Sequence, residues 1–155
     1  MNNQFMERAI QLAMKSVESG RGGPFGTVIV RNDAVISEGQ NRVTSSNDPT
    51  AHAEILAIRQ ACAKLGVFEL IDCELYTSCE PCPMCFGAIY WARLSRIYFA
   101  STAQDAAEIG FDDSLIYREL VLPQSARQIP ATQMMRDEAL AAFQAWAEKP
   151  DKIRY

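Results

Sequence analysis

Apolar residues recur at helical spacing from the start of the chain. Phe5, Ala9, Leu12, Ala13 and Val17 lie on one stripe, with Gly20 where a left-handed cap belongs, and predict an amphipathic helix over about Asn3 to Ser19. Arg21-Gly22-Gly23-Pro24 breaks it. Two β-rich runs, Phe25 to Val30 and Ala34 to Gly39, flank the polar Arg31-Asn32-Asp33 and read as a hairpin. After a polar loop from Asn41 to Thr50, Asp48 as cap and Pro49 at the first helical position predict a second helix running to Leu65, stopped by Gly66. Cys73 to Ser78 reads as a strand, Cys79 to Cys82 as a loop, Pro83 to Arg93 as a third helix and Arg96 to Ala100 as a further strand. Beyond this lie weaker helical patterns over Gln104 to Ile109 and Asp112 to Leu120. A clearer one covers Asp137 to Lys149, capped by Asp137, with Leu140, Phe143 and Trp146 on one side.

Helices placed between strands require crossover connections. The expected architecture is therefore a three-layer α/β/α sandwich, with helices on both faces of a central mixed sheet of about five strands. At 155 residues, 48% hydrophobic and 22% charged, the chain has the composition of a single globular domain spanning 1–155. No apolar run reaches the length of a membrane span, and Met1 to Gln11 lacks the pattern of a secretory signal, so the expected location is cytoplasmic with no membrane partner. In a reducing compartment, five cysteines suggest a metal site or reactive thiol rather than disulfides. Fifteen basic against nineteen acidic residues, a net charge of -4, argue against a nucleic-acid partner.

The chemistry is concentrated in two segments that start helices: His52-Ala53-Glu54 and Pro81-Cys82-Pro83-Met84-Cys85. An imidazole and two thiolates complete the three protein ligands of a catalytic zinc site and leave the fourth position for water. Helix amino termini favour thiolate over thiol, which explains why the ligands sit there. Glu54, two residues after His52, can approach that water without being a ligand and accept its proton. An H-x-E followed by P-C-x-x-C is the signature of zinc-dependent base deaminases. Two blander readings compete. Cys79 can join His52, Cys82 and Cys85 in a closed structural site, the core of an interaction module that leaves Glu54 without a role; alternatively, His52 is a solitary histidine with no metal at all. Cys62 and Cys73 read as buried small hydrophobes.

Longer blocks extend the pattern through nearly the whole chain: Gly22 to Gly26, Thr44 to Glu54, Tyr76 to Cys85, Gly87 to Arg93 and Gly110 to Ser114. In these the chain resembles the cytidine-deaminase-like superfamily and, within it, the short bacterial guanine deaminases. Tyr90-Trp91 and Phe111-Asp112-Asp113 separate it from the tRNA adenosine deaminases. The resemblance implies hydrolytic deamination of guanine to xanthine and ammonia by a zinc-activated hydroxide, with one Zn2+ per subunit, ligands His52, Cys82 and Cys85, and Glu54 as proton shuttle. It implies further that Asn41 hydrogen-bonds the base and that Asp113 faces the purine and assists proton transfer. A homodimer is implied as well, in which a segment over about 131–155 crosses to the partner and Tyr155 completes its site. Asn41 alone would read as a turn residue, Asp113 as a helix cap and the tail as frayed. Phe25 and Trp91 are candidates for stacking on the purine, against the commoner role of aromatic residues in core packing. The competing substrates are cytosine, adenosine in tRNA or a guanine-like triazine.

Overall fold

The structure, a computed structural model, describes residues 3–155. It divides into two compact units, one ending at Asp113 and one running from Ser114 to Tyr155.

The first unit is built on a four-stranded sheet, β1 (Gly26–Arg31), β2 (Ala34–Gln40), β3 (Glu74–Cys79) and β4 (Arg96–Ser101), in the order β2-β1-β3-β4. Its helices are α1 (Asn3–Glu18), α2 (Val43–Ser46), α3 (Ala53–Leu65), α4 (Pro83–Trp91) and α5 (Ala103–Glu108). The sheet is mixed, as expected, but holds four strands rather than about five. β1 pairs antiparallel with β2 and with β3, and β3 runs parallel to β4. The hairpin closes through Asn32 and Asp33, both at positive φ, 51° and 57°, the backbone a two-residue type I′ turn demands. Parallel β3 and β4 need a crossover, and α4 supplies it.

Val28, Ile29 and Val30 are all buried because both faces of β1 are covered, and alternate residues enter different cores. On one face Val28, Val30 and Tyr76 meet Phe5, Ala9 and Leu12 of α1. On the other, Ile29 and Leu75 meet Ala57 and Ala61 of α3 and Ile89 of α4. Cys73 is buried in that second core and Cys62 packs against it, the apolar role expected of both. The α1 stripe ends on Ser16, wholly buried, while Val17 is half exposed, a one-residue rotation from the predicted stripe. Along the outer edge of β2, Lys64 Nζ donates to the Ile36 carbonyl at 2.9 Å and the Glu38 N–H donates to Gln60 Oε1 at 3.3 Å.

The second unit holds α6 (Ser114–Val121), a 3-10 turn (Gln124–Ala126) and α7 (Arg136–Glu148). The residue capping α7 is Met135, at φ 51°, rather than Asp137; Asp137 lies in the first turn beside Arg136, where the helix dipole still favours an acidic group. None of its side chains is buried. No helix among the described residues is long and apolar enough to cross a membrane.

Candidate metal centre and active site

The segment before α3 turns more tightly than predicted. The Asp48 carboxylate accepts from the Thr50 N–H at 2.8 Å and from its hydroxyl at 2.6 Å, so Asp48 closes a local turn instead of capping the helix. The helix then begins at Ala53, and His52 takes the cap position with an extended backbone. Its ring makes no capping bond, because Nδ1 faces two sulfurs. Cys82 caps α4 in the same way, with Pro83 in the first turn, and Cys85 follows one turn later.

His52 Nδ1 lies 3.5 Å from Cys82 Sγ and 3.5 Å from Cys85 Sγ, and the three ligand atoms all fall within 4.8 Å of one another. A tetrahedral ion with bonds of about 2.0 Å to nitrogen and 2.3 Å to sulfur requires N···S edges of about 3.5 Å. The donor set and its spacing therefore fit zinc, one ion per chain. Electrostatics agree with the geometry. Hydrogen bonds from Cys85 and His52 hold the Cys82 thiol well below its ordinary range, whereas sharing that proton and burial push the Cys85 thiol up. The hydrogen bond to Cys82 raises His52. An anionic pocket of this kind is neutralised by a divalent cation.

Cys79 is not the fourth ligand. It sits outside the ligand group, with its thiol directed at the Thr102 carbonyl at 3.5 Å, so the closed four-ligand reading fails and one position stays open. The loop between β3 and α4 is pinned instead by Glu80, whose carboxylate accepts from the Ala103 N–H at 3.0 Å and whose own N–H donates to the Ser101 carbonyl at 2.8 Å. The sequence gives Glu80 no role of its own, because no motif chemistry flags it.

Glu54, in the first turn of α3, is 6% exposed, and burial first of all raises its carboxyl above the usual range. It interacts with both cysteine ligands, so it stands beside the metal position without belonging to the ligand group. Asn41 follows β2, and the neighbouring Arg42 N–H donates to the Ala51 carbonyl at 2.9 Å, which holds that loop against the residue before His52. Asp113 is partly buried; its carboxyl is raised by burial and then by the negative charge of Cys82, which places it on the ligand side of the unit. Phe25 packs edge-on against Phe111, with ring centroids 4.9 Å apart, and so anchors the loop leading to Asp113. Trp91 is 69% exposed at the far end of α4. It stands about 9 Å along the helix axis from Cys85. Tyr155 belongs to the second unit.

Gly39 fixes how closely α3 approaches β2. A Cβ there would stand 1.9 Å from the Ala53 carbonyl oxygen, against backbone that carries His52 on its other side. Gly39→Ala is therefore expected to cost at least about 3 kcal/mol of stability, at the upper end of overpacking effects, and to lower zinc content. Thermal melts and metal analysis of the purified variant test this, and wild-type values in both would reject the steric account.

The zinc-binding region of cytidine and deoxycytidylate deaminases matches residues 1–101. Over 156 aligned residues, covering all of both chains, the sequence is 56% identical to guanine deaminase of Bacillus subtilis (strain 168). The crystal structure of a Bacillus subtilis guanine deaminase superposes with a TM-score of 0.97 at 56% identity, over 100% of this chain and 99% of that one. A guanine deaminase from Nitrosomonas europaea superposes with a TM-score of 0.70 at 33% identity, over 94% and 84% of the two chains. A tRNA-specific adenosine deaminase of Aquifex aeolicus is 40% identical over 97 residues, 63% of this chain and 64% of that one.

Proposed function

The chain belongs to the zinc-dependent cytidine and deoxycytidylate deaminase family, and we propose that within it this protein hydrolyses guanine to xanthine and ammonia. The observation that carries this reading is the open His52-Cys82-Cys85 ligand set with buried Glu54 beside it, in a chain similar over its full length to a guanine deaminase.

His52 Nδ1 and the two sulfurs would hold zinc, which when bound would activate a water for attack on the ring carbon bearing the exocyclic amine. Glu54 takes one proton of the attacking water and gives it to the adjacent ring nitrogen, then takes the second from the oxygen now bonded to the ring carbon and gives it to the amine, so that a carbonyl forms, the C–N bond breaks and ammonia leaves. Its raised carboxyl suits a group that must hold the proton between these steps. Asn41 binds the base edge. Asp113, raised in the same sense, faces the departing amine and assists its protonation. Phe25 covers the base only together with Phe111, as the ring that sets the Asp113 loop. Measuring ammonia release from guanine, cytosine, cytidine, adenosine, a tRNA substrate and guanine-like triazines tests the assignment. Guanine turnover with the others silent is expected, and a silent guanine arm overturns it.

We further propose a homodimer in which residues 131–155 cross to the partner and Tyr155 completes the partner's site. The second unit buries none of its apolar side chains, Phe143 being 72% exposed and Trp146 45%, an arrangement that favours covering by a second copy. The whole chain then acts as one domain, 1–155, in purine catabolism in the cytoplasm, where five free thiols are at home. Mixing Glu54→Ala subunits with subunits lacking Tyr155 should restore activity, because the truncated subunit's intact centre receives a complete tail. Random pairing puts about a quarter of all sites in that state. Absence of any restoration above the two parents rejects the shared site.

A further inference from the structure

The side chain of Asn41 has a fixed polarity. Its Oδ1 accepts from the Gly23 N–H and from the Val43 N–H, each at 3.2 Å. Both partners are backbone donors, so the amide cannot be turned over: its NH2 would then face two N–H groups. The main chain of the same residue is also committed. Its N–H donates to the Phe25 carbonyl at 3.1 Å, and its carbonyl accepts from the Ser16 hydroxyl at 3.2 Å. The residue is 4% exposed, and among the described residues Nδ2 alone of its polar atoms has no partner.

Two neighbours impose this pose. Ser16 is wholly buried on α1, where a polar side chain carries a desolvation cost unless it has a partner, and its partner is Asn41. Gly22 lies flat against the residue: a Cβ there would stand 2.3 Å from the Asn41 carbonyl oxygen and 2.5 Å from Oδ1. Any side chain at position 22 displaces the oxygen whose bonds orient the amide.

We propose that Ser16, Gly22 and the Gly23 N–H are positioning residues for substrate specificity: they hold Asn41 so that it offers the base only hydrogen-bond donors. The site then selects a base with an acceptor, a carbonyl oxygen or an unprotonated ring nitrogen, at that edge, and disfavours one that presents an amine there. This rests on the reading that Asn41 contacts the base. A donor-only contact discriminates because a base offering a second donor leaves both groups unpaired in a closed site.

Guanine kinetics on Ser16→Ala, Gly22→Ala, Asn41→Ala, Asn41→Asp and the Ser16→Ala/Asn41→Ala pair test the proposal, with zinc content and circular dichroism confirming that each variant is folded. Asn41→Ala is expected to raise KM about tenfold or more, the size of one lost hydrogen bond to a base. Ser16→Ala should raise KM severalfold with a smaller change in kcat, and should add nothing in the Asn41→Ala background. Asn41→Asp, which keeps the oxygen for the two N–H groups but turns the donor into an acceptor, should bind guanine more weakly than Asn41→Ala. If Asn41→Ala leaves KM unchanged, the assignment of Asn41 to the base fails. If Asn41→Ala raises KM but Ser16→Ala adds its full effect in the double variant, the positioning role is overturned. Should Asn41→Asp match wild type, the donor polarity is overturned. Gly22→Ala provides a second route to the same displacement should Ser16→Ala be compensated by a buried water.

Discussion

Glu54→Ala is expected to lower kcat on guanine by about 10⁴-fold while the protein keeps its zinc. Two proton transfers depend on this carboxyl, and removing a positioned general acid–base group costs 10²–10⁴-fold, so the upper end of that range applies, about 5.5 kcal/mol of barrier. Zinc is retained because the ligand group consists of His52, Cys82 and Cys85 without Glu54. Stability should move the other way. Burial opposes ionisation of this carboxyl, so the native state carries it at a cost, and its loss is expected to leave the melting temperature unchanged or higher. Single-turnover kinetics, metal analysis and a thermal melt on one preparation read all three quantities. More than a tenth of wild-type kcat would remove Glu54 from the proton path, and loss of zinc would make it part of the ligand shell.

The second large effect concerns His52, the one histidine in 155 residues. No other imidazole exists to replace it, and the two remaining thiolates make an incomplete site. His52→Ala is expected to abolish zinc binding at micromolar metal and with it all turnover. Acid should remove zinc in the same sense. A proton on Nδ1 excludes the metal, and in the metal-free protein the hydrogen bond to Cys82 raises this imidazole, which favours that proton. Zinc retention measured down a pH series should fall as acid protonates the ligands and recover on returning to neutral pH with added zinc. A His52→Ala protein that still binds stoichiometric zinc would break the ligand assignment.

The ligands were legible because their chemistry is tied to local chain geometry. Cys82 and Cys85 straddle a helix start marked by Pro83, and His52 precedes a run of strong helix formers, so helix-start residues and helix propensity put all three at helix amino termini. The sheet was legible where alternation coincided with turn residues, as at Asn32-Asp33. What was hidden depends on contacts between distant segments. Ser16 adjoins Val17, the last residue of the predicted stripe, and a helical stripe drawn from spacing cannot tell position 16 from 17 when both lie near its border. Only the Asn41 carbonyl, 25 residues away, makes a buried hydroxyl acceptable there. Asp48 and Asp137 were misplaced as caps for a related reason: a short carboxylate serves equally well in a tight turn or in the first helical turn.

The bonds that Lys64 and Gln60 make to β2 bear on how copies of the protein meet in concentrated solution. An outermost strand ordinarily presents a row of unsatisfied peptide groups, a template on which a foreign strand can add. Here two side chains one turn apart on α3 occupy the Ile36 carbonyl and the Glu38 amide. Strand addition at this margin would have to break both bonds before forming its own, so the protein carries its own guard against fibrillar growth on that side.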